Sequence, residues 1–132
     1  MVLEVKMKTI DKLILVACVI AFFLPGIVKA DDWSTEDTIR QGVMLGLIAI
    51  DWQQTQEIAK HPELYSEVNP IIGKNPTVHG VDNFFLASAI IKTGISYALP
   101  AGKWREAWQY INIGASATLV SHNYNVGIRI QF

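Results

Sequence analysis

Asp51 follows the largely apolar run Gln41–Ile50 and precedes Thr55 by one helical turn, so a helix carrying both would show them on one face. A carboxylate at the centre of a bilayer costs about 2.5–3.5 kcal/mol on insertion scales, so Asp51 requires a partner. Lys92, Glu67, Asn69 and the pair His122-Asn123 are the available groups. Asp51, Glu67, His79 and His122 could together present oxygen and nitrogen ligands to zinc or manganese. No two of them have the i, i+4 spacing that marks helical metal sites, and H-E-x-x-H is absent. Asp51 and Lys92 could alternatively carry a proton or ion pathway. Ser88, Ser96, Ser116 and Ser121 lack a G-x-S-x-G setting, and no glycine-rich phosphate loop or dinucleotide fingerprint occurs. No catalytic residue and no cofactor is therefore assigned.

The elements that must position these groups read as helices. Ser34-Thr-Glu-Asp37 is a serine-to-acid capping pattern, and a helix should run over 35–60 until His61-Pro62 disfavours it. Gly42 and Gly46 form a G-x-x-x-G step within it. Five breakers, Pro62, Pro70, Gly73, Pro76 and Gly80, make the stretch from His61 to Gly80 a shaped loop. Thr77 is the candidate cap of a second helix over 77–99, which Pro100-Ala-Gly102 stops; a third should cover 104–122. Residues 124–132 alternate apolar and polar side chains and end in Phe132, which predicts a short extended tail. That tail resembles the last strand of outer-membrane barrels, but a barrel needs at least about eight strands, and 35–99 shows no such succession.

Asp51-Trp-Gln-Gln-Thr55 followed by Glu67-Val-Asn-Pro70 resembles the D-x-x-x-T and E-x-N-P signatures of small helical membrane proteins of bacteria and their phages, a family without an established activity. The resemblance covers about a quarter of the chain, Asp51 to Phe85. It implies that Asp51, Thr55, Glu67, Asn69 and Pro70 form one unit, and it implies a membrane setting without supplying a reaction. Together with Lys92, His122 and Asn123 these residues make up the expected polar cluster. The competing reading makes Glu67-Val-Asn-Pro70 a loop lock whose side chains accept backbone amides.

Composition fits an apolar, enveloped chain. Of 132 residues 51% are hydrophobic and 17% charged. Lys6, Lys8 and Lys12 precede the apolar run Leu13–Leu24, then Pro25-Gly26 and Val28-Lys29-Ala30, the order of a secretory signal. Cleavage after Ala30 is expected, with an uncleaved anchor or acylation at Cys18 as alternatives. Residues 1–30 carry a net charge of +2 and residues 31–132 of −3, which leaves no basic surface for nucleic acid. Trp33, Trp52, Trp104 and Trp108 border apolar stretches, where aromatic belts sit.

The expectation is thus an all-α domain over 31–132: a three-helix, membrane-embedded bundle in the cell envelope, with the inner membrane favoured and the periplasm or outer membrane as alternatives. Its partners would be the lipid bilayer and an envelope protein or a second copy. Its role would be structural or interactive, with a carboxylate–histidine enzyme, or an outer-membrane-associated protein ending in a Phe132 strand, as alternatives.

Overall fold

Ser34 and Asp37 bond reciprocally in the computed structural model, which describes residues 32–128. The Asp37 amide donates to Ser34 Oγ at 3.0 Å and the Ser34 amide to Asp37 Oδ2 at 3.1 Å, a complete capping box. It opens α1, Thr35–Lys60. Ser34→Ala removes one acceptor and should lower stability by about 0.5–2 kcal/mol, read as the shift in a denaturant midpoint at constant slope; an unchanged midpoint would show that the Asp37 side chain caps α1 unaided.

Thr77 caps α2, Val78–Ala98, by accepting from the Gly80 amide at 3.0 Å. Leu99 then turns extended ahead of Pro100, as the proline ring requires of its predecessor. Gly102, at φ +101°, makes the reversal into α3, Lys103–Asn125. The helices are therefore close to the expected spans, with α3 starting one residue earlier and ending three residues later than the sequence suggests.

The predicted extended tail is corrected at its start. Tyr124 and Asn125 are helical, and Gly127, at φ +100°, closes α3. Its amide donates to the Tyr124 carbonyl at 3.1 Å and the Ile128 amide to the Asn123 carbonyl at 3.0 Å. This pair of bonds is a Schellman stop, and it tucks Ile128 into the interior. A glycine able to take the left-handed conformation outweighs the period-two pattern around it. The remainder of the tail with Phe132, like the signal segment 1–30 and Cys18, lies outside the described residues.

The all-α expectation holds: the described residues form three helices and no strand. They run up, down and up. Gln41 of α1 meets Thr93 of α2 and Trp52 meets Asp82, an antiparallel pairing. Asp37 meets Arg105 and Asp51 meets Asn123, so α1 and α3 are parallel. α1 is the central helix, packing on both neighbours, which touch each other little.

The two interfaces of α1 have opposite chemistry. Toward α2 lies a compact apolar cluster, Met44, Ile48, Val81 and Phe85, with Trp52, Ile72 and Phe84 against it. Toward α3 the seam is polar: the residues α3 buries are Arg105, Gln109, Asn112, Ser116 and Asn123. They recur at steps of four, three, four and seven, and Asp37, Gln41, Met44, Ile48, Asp51, Thr55 and Ile58 of α1 at steps of three and four. That is the spacing of a coiled-coil seam filled largely with hydrogen-bonding groups.

None of the three helices is long and apolar enough to cross a membrane. The outward faces are nevertheless apolar. On α1 the exposed positions from Ile39 to Ile50 are Ile39, Gly42, Val43, Leu45, Gly46, Ala49 and Ile50. The Gly42–Gly46 step is among them, and nothing in the described residues lies within 4 Å of a methyl group built there. Three of the four tryptophans are tied into the bundle. Trp33 stacks on Tyr97 with centroids 4.5 Å apart, Trp52 donates to Asp82 at 2.8 Å, Trp108 donates to the Lys92 carbonyl at 3.2 Å, and Trp104 is exposed.

Candidate functional site

The polar seam has two ends, each a cluster. At the first, Arg105 of α3 is fully buried. Its Nε donates to the Ser96 carbonyl at 3.0 Å, Nη2 to the Leu99 carbonyl at 2.9 Å and Nη1 to Asp37 Oδ2 at 3.0 Å. One planar guanidinium thus ties the end of α2 to the starts of α1 and α3. Trp33 covers it, with the guanidinium carbon 4.9 Å from the ring centre. Arg40 bonds Asp37 Oδ1 at 2.6 Å and Gln109 Oε1 at 2.8 Å; Gln109 Nε2 in turn donates to the Asp37 carbonyl at 3.1 Å and to Gln41 Oε1 at 3.3 Å. Burial works to raise the Asp37 carboxyl, but the Ser34 amide and the guanidiniums of Arg105 and Arg40 outweigh it and hold the group below its ordinary value. The described members of the cluster bond one another, which makes it a clamp.

The second end brings together Asp51, Thr55 and Asn123 of the residues expected from the sequence. Asp51 is buried, 8% exposed. Its Oδ1 is approached by Asn123 Nδ2 at 3.3 Å and Thr55 Oγ1 at 3.4 Å, both at the long limit. The Thr55 hydroxyl is closer to the Asp51 backbone carbonyl, 2.8 Å, and spends its proton there. Asn123 Nδ2 also reaches Gln54 Oε1 at 3.3 Å, and Gln54 Nε2 donates to the Val120 carbonyl at 3.2 Å. Burial first, and then the charge of Glu67, push the Asp51 carboxyl up to about 6, against the opposing pulls of Thr55 and Lys92. Lys92, half-buried on α2, is lowered by burial, with Asp51 working to raise it.

Glu67 and Asn69 are a loop lock. Glu67 Oε1 accepts from the amides of Val68 and Asn69, both at 2.9 Å, and the Glu67 amide donates to the Lys74 carbonyl at 2.9 Å. Asn69 Oδ1 accepts from Ile71, and the Asn69 carbonyl accepts from Gly73, which needs its φ of +90°. Pro70 is exposed at the turn. Glu67 Oε2, by contrast, is buried without a hydrogen-bond partner.

Asp51, Thr55 and Asn123 therefore meet, while Glu67 and Lys92 act on Asp51 through their charges. His122 does not join them; it is exposed, its carbonyl accepting the Val126 amide. His79 is exposed too, near Asp82 rather than Asp51. Among the described residues no three His, Cys, Asp or Glu side chains are placed to hold a metal ion. The clamp around Arg105 and Gln109 escapes a reading of the sequence one residue at a time. Its signal is the stripe Arg105, Gln109, Asn112, Ser116, Asn123, polar at helical spacing.

Comparison with models of protein families, with curated proteins and with solved structures finds no match to this chain.

Proposed function

We propose that the chain is an exported cell-envelope protein with a structural or interaction role, its bundle seated in the membrane through its outer faces and held together by the polar seam. What supports the reading is the reversal of the usual arrangement. The interior of the α1–α3 interface is polar, while the outward faces of α1 from Ile39 to Ile50 and of α3 from Ala107 to Ala115, with Tyr110 and Ile111, expose no charged residue. A protein surrounded by water seldom exposes so much contiguous apolar surface. In lipid, polar groups turn inward and bond one another. Because no helix is apolar enough to cross alone, the outer faces make the lipid contact while the seam stays sheltered. The D-x-x-x-T and E-x-N-P resemblance favours the same setting, and no assembled catalytic set speaks for an enzyme.

Alkaline carbonate extraction of cells expressing the full chain tests this, with the mature N-terminus fixed by mass spectrometry. The species beginning after Ala30 should stay with the membrane pellet. The double variant Ile50→Asp, Ile111→Asp should move largely to the supernatant, because each carboxylate at a lipid-facing site costs about 2.5–3.5 kcal/mol. Wild-type protein in the supernatant, or a double variant that stays in the pellet, rejects lipid contact through these faces.

A further inference from the structure

The connection between α1 and α2 exposes three large aliphatic side chains: Leu64 is 67% exposed, Val68 52% and Ile71 57%. Its inner side is packed, with Ile72 against the apolar cluster and Glu67 buried. The backbone beneath the exposed trio is closed on itself. The Leu64 amide donates to the His61 carbonyl at 3.0 Å, the Val68 amide to Glu67 Oε1 at 2.9 Å and the Ile71 amide to Asn69 Oδ1 at 3.0 Å. From Glu67 to Ile71 every amide has an acceptor inside the connection: that of Glu67 bonds the Lys74 carbonyl, that of Asn69 bonds Glu67 Oε1, and Pro70 has no N–H to satisfy. A turn surrounded by water gains little from such closure, because water serves its amides nearly as well. Away from water it matters, since an amide without an acceptor is costly to desolvate.

We propose that the tip formed by Leu64, Val68 and Ile71 is a bilayer-inserting wedge. Its aliphatic side chains enter the boundary between headgroups and acyl chains, and the Glu67–Asn69 lock keeps the amides satisfied there. The inference rests on the membrane setting proposed above and adds an end of the bundle to its lateral faces. α3 runs parallel to α1, so its last turn lies at the same end, where Tyr124 and Val126 are exposed as well. Lys60 and Lys74, exposed to either side of the tip, are long enough to stay with headgroup phosphates while the tip goes deeper. Lipid fits this tip better than a peptide or protein does. Strand addition needs free amides, which the lock has used, and the exposed trio contains none of the Trp, Tyr or Arg side chains that anchor protein interfaces.

Fluorescence quenching in reconstituted vesicles reads this. In the full chain with Cys18→Ser, which leaves no native cysteine, an NBD fluorophore is attached through Val68→Cys, Ile71→Cys or Ile111→Cys, one at a time. The protein is placed in phosphatidylcholine vesicles whose acyl chains carry a nitroxide near the headgroup. Both tip probes should lose emission to the nitroxide and be spared by iodide in the water, and so should the probe at 111, which the lateral lipid contact requires. Far-ultraviolet circular dichroism identifies the labelled chains that keep their helices, and two tip positions cover the loss of one. Iodide quenching without nitroxide quenching at a folded tip probe overturns the wedge. A tip screened from both quenchers overturns it too, by assigning the tip to a protein contact such as a second copy. In either case nitroxide quenching at 111 leaves the lateral reading standing, whereas a chain in which no probe meets the nitroxide loses both. Nitroxide quenching at the tip alone keeps the wedge and rejects the lateral contact.

Discussion

Arg105→Ala is expected to lower stability by about 3–5 kcal/mol, the usual result of removing one partner of a buried ion pair. For a domain of about 100 residues that is a fall in Tm of more than about 12 °C. The effect is large because the truncation strands several groups at once. Asp37 stays buried as an anion with Arg40 as its only remaining cation, and the carbonyls of Ser96 and Leu99 lose their donors. Arg105→Lys retains the charge but not the fork, so it should recover only part of the loss. The pH dependence should change as well. Asp37 is held below its ordinary 3.8, so its contribution is complete above that value and is lost as the solution is acidified through the lowered one. Without Arg105 that loss should begin at higher pH. Thermal unfolding followed by far-ultraviolet circular dichroism, at neutral and acidic pH, measures both effects. A change below about 1 kcal/mol, the scale of an exposed ion pair, would show that the guanidinium is replaceable by solvent and that the clamp does not hold the helix ends.

Phe85→Ala should be nearly as costly, about 3–5 kcal/mol, for the opposite reason. Phe85 is 3% exposed, parallel to Trp52 with centroids 6.2 Å apart and edge-on to Phe84 at 5.2 Å. It belongs to a fully buried apolar cluster of only four residues. Removing its ring deletes a large share of the apolar α1–α2 contact and leaves a cavity beside Met44, Ile48 and Val81. The denaturant midpoint should fall with the slope unchanged, since the surface exposed on unfolding stays nearly the same. A loss under about 1.5 kcal/mol, typical of well-tolerated apolar replacements, would mean that this cluster repacks freely.

What could be read from the sequence was local. Ser34 and Asp37, Thr77, His61-Pro62 and Leu99-Pro100 carry their instructions within four residues, which is why the helices fall close to the expected spans. The Glu67–Asn69–Pro70 turn was legible for the same reason. The clamp was not, because Asp37 reads as a cap and Arg105 as a charge at the start of a helix; their partnership spans 68 residues of sequence. His122 was misassigned to the cluster because it adjoins Asn123, yet consecutive helical residues point about 100° apart. Composition alone does not distinguish an apolar helix from one with a polar inner stripe and an apolar outer face, so the inner stripe of α3 was not legible from it. The Tyr124–Phe132 alternation misled at its start because one glycine decides how α3 ends.

The parallel seam of α1 and α3 has a bearing on how this molecule could transmit anything. Sliding α3 along α1 by one heptad would carry the Arg105 guanidinium from Asp37 to Met44, and Gln109 from Gln41 to Ile48. Each step would bury a polar group against hydrocarbon. Such a pair of helices is keyed to a single alignment, like a toothed rack with one matching notch. Any message passed through it must travel by bending or tilting the helices together, because ratcheting one past the other is closed off.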